Sequence, residues 1–215
     1  PTTWLLLRLG LSANQVTTVA ILCNGVAAYM VSRGEFVSLL IGIILFPVAF
    51  LLDSVDGNIA RVRGQTNALG AFLDEASADL FYLAFFVPLS LGIVNSSNYY
   101  RFFNGGEAYV ALGASAALSL LFYRLIRLRL HDFEMNRVSK SPGVRDTEVN
   151  LRHNVRALEL YKNLFTPGGV YFPLLFFAAV FHWLDVFILI YGVAAPAVVT
   201  MAIAYHLRRF VRRSS

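Results

Sequence analysis

Six long apolar segments constrain the fold of this 215-residue chain more than any other feature of its sequence. A helix needs about 20 predominantly apolar residues to cross the hydrocarbon core of a membrane. Charged residues make up only 14% of the chain, against roughly 25% in a soluble domain, and this excludes an ordinary soluble domain. The sequence therefore predicts an all-α, polytopic membrane protein with about six transmembrane helices plus interfacial helices. The six segments are about Val16–Ser32, Phe36–Leu52, Ala68–Val94, Tyr109–Ile126, Val170–Trp183 and Val186–Leu207.

The connections between these segments are short, with one exception. We expect residues 1–215 to form a single membrane-embedded domain, in which residues 130–169 are a long polar cytoplasmic loop. Leucines at mixed helical spacing from Thr147 to Phe165 predict a surface helix within this loop; a flexible loop is the alternative. At the start of the first segment, Ser12 and Gln15 have the spacing of a capping box, which predicts a helix N-terminus there.

The basic residues indicate the orientation in the membrane. Of the 18 Lys and Arg residues, only Arg33 and Arg101 fall in the first and third connections, and none falls in the fifth. Short loops rich in Lys and Arg remain in the cytoplasm, so we expect both termini and the second and fourth connections to be cytoplasmic. Because these residues lie at the ends of the spans, they indicate contact with anionic membrane lipid and no nucleic-acid partner.

The most informative anomaly is a group of five acids within apolar surroundings. An ionised side chain at the centre of a span costs about 2.5–3.5 kcal/mol. The basic residues of the same helical hairpin are only Arg61 and Arg63, so negative charge is in excess. A bound divalent cation would balance it, and carboxylate ligands favour Mg²⁺ or Mn²⁺; a proton relay or an ion pathway is the alternative. The five acids are Asp53, Asp56, Asp74, Glu75 and Asp79.

Their depth supports a common site. The turn of the hairpin is centred near Gln65, and Asp56 and Asp74 lie nine residues before and after it. At ~1.5 Å per residue, each acid is ~13 Å from the turn. Asp53 shares a helix face with Asp56. An antiparallel hairpin is thus expected to bring the acids to one level.

The residues of this hairpin form a known signature. From Asp53 to Asp74 the chain resembles the CDP-alcohol phosphotransferase (phosphatidyltransferase) family, whose pattern is D-x2-D-G-x2-A-R-x8-G-x3-D-x3-D, and seven of the eight fixed positions match. The six-segment layout, the cytoplasmic second turn and the opening of the first helix at Asn14–Thr17 are also similar to the family.

The resemblance implies an integral membrane enzyme, usually a homodimer, with its active site facing the cytoplasm of a bacterial or archaeal cell membrane. Such an enzyme passes a phosphoryl-alcohol or phosphatidyl group from a CDP-linked donor to the hydroxyl of an alcohol or lipid acceptor and releases CMP. Two Mg²⁺ or Mn²⁺ ions are implied. The resemblance assigns Asp53, Asp56 and Asp74 as metal ligands, and it assigns to the nucleotide Asp56, Gly57, Ala60, Arg61 and Gly70.

One position departs from the pattern. The fourth acid of the family, a metal ligand and the proposed base for the acceptor hydroxyl, is expected at Ala78. Asp79 is the nearest acid, but it lies ~140° around a regular helix from Asp74, against ~40° for position 78. A second alignment pairs Glu75 with Asp79 and loses Gly70.

Three readings of this departure remain open. Asp79 or Glu75 serves as the catalytic base, with Asp79 also a metal ligand; the site uses another base or a more acidic acceptor; or the protein is a non-catalytic relative that binds a CDP-type nucleotide or acts as a membrane scaffold. Arg124 and Arg127, at the end of the fourth segment, are candidates for contacting an anionic acceptor, with anchoring at the membrane edge as the alternative. A transporter is disfavoured, because no matched pair of broken helices is present.

Overall fold

The computed structural model describes residues 2–64, 68–96, 102–139 and 170–214, and these residues form helices without a strand. Five helices contain a stretch long and apolar enough to span a membrane, and a sixth apolar helix has ten residues. The expected all-α polytopic fold is therefore confirmed, with one apolar helix shorter than expected. In chain order the helices are α1 (Thr2–Arg8), α2 (Ala13–Ser32), α3 (Phe36–Arg63), α4 (Ala68–Asn95), α5 (Gly106–Ser139), α6 (Tyr171–Val180) and α7 (Leu184–Ser214).

Local signals determine where the first spanning helices begin and end. The predicted capping box is confirmed at the start of α2, where the Gln15 backbone N–H donates to the Ser12 hydroxyl at 3.3 Å and the Ser12 N–H donates to the Gln15 side chain at 2.9 Å. Helix α3 ends at Arg63 and is followed by Gly64, whose φ of 63° is left-handed, as is common for the glycine that closes a helix.

Helix α5 is longer than the apolar pattern indicated. Residues 130–139, which were expected to begin the polar loop, continue the helix to Ser139. This stretch contains no Gly or Pro, so nothing in the backbone ends the helix where the chain becomes polar. Hydropathy locates the membrane boundary, not the helix boundary. The remainder of the expected loop, including the surface helix predicted from Thr147 to Phe165, lies outside the described residues.

The helices pack around an aromatic core. Helix α2 packs against α3 and α4, and α5 packs against α4 and α7. Phe46, Phe81, Phe85 and Tyr171 are buried in the centre and contact one another through their rings. Many large apolar side chains on the outer faces are exposed, as expected for a surface that contacts lipid. These ring contacts join α3, α4 and α6, and α2 packs against both α3 and α4.

Glycine permits the close approach of α2 and α4. A Cβ added at Gly92 would overlap the Val31 carbonyl oxygen and lie 3.2 Å from the Val31 carbonyl carbon. We expect Gly92→Ala to destabilise the protein by about 1–3 kcal/mol, because backbone atoms cannot rotate away from the added methyl group. Thermal unfolding in detergent measures the effect.

Gly25 of α2 is the matched control, because a Cβ there meets nothing within 4 Å. Gly25→Ala should leave stability unchanged or raise it by up to ~1 kcal/mol through helix propensity. Equal melting temperatures for the two variants would contradict the close packing.

Candidate metal-binding site

Three of the five acids meet in the hairpin that α3 and α4 form. One carboxylate oxygen each from Asp53, Asp56 and Asp74 lies within 4.8 Å of the others. Oxygens bound to one Mg²⁺ are at most ~4.2 Å apart, which is twice the metal–oxygen distance. Small side-chain shifts therefore suffice for all three to bind one ion.

Asp56 is the most deeply placed of the three. Asp56 is only 3% exposed. The Thr17 hydroxyl of α2 donates a hydrogen bond of 2.5 Å to Oδ2 of Asp56. Its Oδ1 is buried and has no hydrogen-bond partner among the described residues. A buried carboxylate oxygen without a partner is costly, and a bound cation would satisfy it. The triad therefore fits a divalent metal ion.

The other two carboxylates open the site towards solvent. Asp53 is half-buried and accepts a hydrogen bond of 2.7 Å from the Ser77 hydroxyl of α4. Asp74 is exposed. The triad thus has a buried end at Asp56 and an accessible end at Asp74, where a phosphate of a substrate could complete the coordination of the metal.

Asp79 and Glu75 are not part of the triad. The Asp79 carboxylate accepts a hydrogen bond of 2.6 Å from Nε of Arg124 on α5, in a half-buried ion pair. Arg124 also donates to the Glu75 backbone carbonyl at 3.4 Å, and the Glu75 side chain is exposed. Because Asp74 and not Glu75 lies beside Asp53, the geometry favours the first alignment of the motif.

A cavity of about 130 Å³ adjoins the triad at Asp53. Ala78, at the position where the family pattern has its fourth acid, lines this cavity. Asn24 of α2 also lines the cavity. Asn24 is 8% exposed, and its side-chain oxygen is buried without a hydrogen-bond partner among the described residues. The cavity is lined by Ala20, Asn24, Ala49, Phe50, Asp53, Ser77, Ala78, Phe81, Tyr82 and Arg124.

The remaining motif residues lie between the triad and the connection of α3 to α4. A Cβ at Gly57 would meet only the Arg61 guanidinium, at 3.8 Å, so this face is open. The exposed Arg61 side chain donates to Asn58 at 2.7 Å, while Ala60 and Gly70 are half-buried. Arg127 follows Arg124 on α5, and the structure does not describe its side chain.

Sequence reasoning missed the groups that α2 contributes, Thr17 and Asn24. Asn24 gave a usable signal, since a polar amide in the middle of an apolar helix needs a partner or a ligand. Thr17 lies 39 residues before Asp56, and only tertiary packing reveals the contact.

Comparison with known proteins adds one finding. The sequence model of a family described as CDP-alcohol phosphatidyltransferase matches residues 11–145, a range that includes α2 to α5 and the whole acid cluster. No curated protein and no solved structure matches the chain.

Proposed function

The chain belongs to the CDP-alcohol phosphatidyltransferase family, and from this premise we propose that it is a metal-dependent membrane transferase. It moves a phosphoryl-alcohol or phosphatidyl group from a CDP-linked donor to an acceptor hydroxyl and releases CMP, as in phospholipid or polar-headgroup synthesis. The observation that carries the proposal is the meeting of Asp53, Asp56 and Asp74, because three convergent carboxylates suit a cation that binds a diphosphate.

The reaction exchanges one phosphorus–oxygen bond for another. The acceptor oxygen attacks the phosphorus that carries the alcohol, and the bond from this phosphorus to the bridging oxygen breaks, so that CMP leaves with the electron pair. The triad would hold Mg²⁺ or Mn²⁺, which supplies neutralisation of the charge that builds on the diphosphate. The proton of the acceptor hydroxyl goes to a base. Asp79 and Glu75 are the predicted candidates, and the ion pair of Asp79 with Arg124 disfavours Asp79 for this role.

The nucleotide is assigned to the open cytoplasmic face of α3 and the start of α4. Arg61 presents an exposed guanidinium, which can donate two parallel hydrogen bonds to a phosphate. Gly57 leaves room beside the backbone for the donor to approach. Ala60 and Gly70 complete the proposed nucleotide contacts, together with Asp56.

The acceptor is assigned to the cavity beneath the triad. Asp53 and Arg124 both line it, so an alcohol there lies beside the proposed metal ligand and a fixed positive charge. The unpartnered Asn24 oxygen at its wall can accept a hydrogen bond from a hydroxyl of the acceptor. Arg127 remains a predicted acceptor contact.

Asn24→Leu tests this placement of the acceptor. We expect its KM for the acceptor to rise about tenfold with little change in kcat, since one hydrogen bond of ~1–1.5 kcal/mol is lost. Thermal stability should rise, because a buried amide oxygen without a hydrogen-bond partner among the described residues is removed. Asn95→Leu is the control: its side chain donates to Ser32 at 2.7 Å at the other end of α4, so stability should fall and KM should not change. An unchanged KM in Asn24→Leu would place the acceptor elsewhere.

A donor panel tests the function itself. Membranes containing the protein are supplied with CDP-diacylglycerol, CDP-choline or CDP-inositol, and with lipid extract as acceptor. We expect CMP release from at least one donor, with loss of release in EDTA. The non-catalytic alternative predicts metal-dependent binding of CDP without CMP release for any donor, and that result would reject the transferase.

The protein is an integral membrane protein, on the basis of its five spans and its family. We propose a single domain with the triad on the cytoplasmic side of a bacterial or archaeal membrane. Arg61 and Arg63 follow the triad residues at the end of α3, and Arg8 ends α1, which packs against α3. Arg residues at the ends of spans favour the cytoplasmic side. A homodimer also remains part of the proposal.

A further inference from the structure

We propose that this chain holds one divalent cation, rather than the two that the family resemblance implies, and that the Arg124 guanidinium supplies positive charge where a second ion would lie. The inference rests on the proposed function and specifies its metal content.

The ligand set is sufficient for one ion only. Asp53, Asp56 and Asp74 bring one oxygen each within 4.8 Å of the others. A second ion would need a carboxylate at position 78, one helical turn beyond Asp74, and Ala78 presents only a methyl group to the cavity. Of the residues that line the cavity, Asp53 is the sole acid, so a second ion there would have one protein carboxylate, shared with the first ion.

Asp79 does not replace the missing ligand. Its carboxylate is paired with Arg124 Nε at 2.6 Å, and Arg124 is held a second time by the Glu75 carbonyl at 3.4 Å. These two contacts fix the guanidinium on α5, in the wall of the cavity that Asp53 and Ala78 share. A guanidinium stays charged at every accessible pH.

Arg124 therefore both excludes a second ion and performs part of its work. Like charges repel strongly at short range, so a divalent ion in this cavity would face an immobilised cation. The same planar group can donate hydrogen bonds to a phosphate or to the attacking oxygen. The loss of an acid at position 78 and the presence of Arg124 are thus two sides of one arrangement.

The test counts Mn²⁺ bound to the full-length chain in detergent with saturating CDP, by electron paramagnetic resonance. We expect one Mn²⁺ per chain in the wild type. We expect the same in the control Ala78→Ser, because serine is close to alanine in volume and carries no carboxylate. Ala78→Asp should raise the count to two and give the spin-coupled signal of ions about 3.5–4 Å apart. Asp56→Asn should weaken binding of the single ion at least tenfold.

Each other outcome has a defined meaning. Two ions in the wild type overturn the proposal. If Ala78→Asp stays at one ion, the double variant Ala78→Asp/Arg124→Gln decides: two ions support exclusion by Arg124, and one ion overturns the roles given to both positions. No bound ion rejects this inference together with the metal site of the proposed function. One ion without CMP release from any donor supports this inference while rejecting the transferase.

Discussion

Replacing Asp56 by Asn is expected to reduce CMP release by about 10³-fold or more. The amide has the shape of the carboxylate but not its charge, so the variant tests metal binding and not packing. Asp56 is the most buried of the three proposed ligands, and its Oδ1 has no hydrogen-bond partner among the described residues. A bound metal ion stabilises the transition state by several kcal/mol, and each 1.36 kcal/mol is a factor of ten in rate. Initial rates of CMP release at saturating donor measure the effect.

Two further variants make this result specific. Thr17→Val removes the hydrogen bond to Asp56 and should weaken metal binding 10–100-fold, as the loss of an outer-shell partner typically does, with activity recovering at high metal concentration. Thr17→Ser should retain the bond and the affinity.

Glu35→Gln is the control for loss of charge. The Arg33 guanidinium donates to Glu35 at 2.7 Å and lowers the pKa of this exposed carboxyl below its ordinary value, so the control also removes one full negative charge at neutral pH. It lies at the opposite end of α3 from the triad and should leave CMP release unchanged. More than a tenth of wild-type activity in Asp56→Asn would contradict the assignment of Asp56 as a metal ligand.

Most of the fold could be predicted from the sequence, because a helix that spans a membrane needs a long run of apolar residues. Apolar length predicted the spans, and the Ser12–Gln15 box predicted where α2 begins. The extension of α5 to Ser139 was not predicted, because a helix that leaves the membrane needs no apolar residues. Helix termination depends on local breakers, which that stretch lacks.

The site was predictable in part, for a geometric reason. Counting residues from the turn of a regular hairpin places Asp56 and Asp74 at one depth, and the structure brings their carboxylates together with that of Asp53. Helical periodicity also indicated that Asp79 faces away from Asp74. What it faces, Arg124, lies 45 residues later in the chain, and only the packing of α4 on α5 reveals this contact. The cavity and Asn24 depend in the same way on how α2 packs.

Arg124→Gln is expected to lower kcat about 10²–10³-fold, the usual cost of losing one preorganised donor near developing charge. Asp79→Asn should also lower kcat, because Asp79 holds the guanidinium at the cavity wall through a 2.6 Å ion pair. The double variant Arg124→Gln/Asp79→Asn should be no slower than Arg124→Gln, since Asp79 acts through Arg124 as a positioning residue. Arg33→Gln is the matched control and should be neutral, because it breaks an exposed pair with Glu35 of similar length, 2.7 Å.

The pH profile distinguishes this role from that of a base. If Asp79 removes the acceptor proton, Asp79→Asn loses 10²–10⁴-fold in rate and the acidic limb of the kcat/KM profile disappears with it. The double variant would then be slower than Arg124→Gln alone, because the two residues would contribute separately. If Asp79 positions Arg124, the acidic limb persists in Asp79→Asn, and Asp79→Glu restores part of kcat by re-forming the ion pair. The Asp79 carboxylate faces α5 and does not line the cavity, so we expect the second pattern. Loss of the acidic limb would assign the base to Asp79.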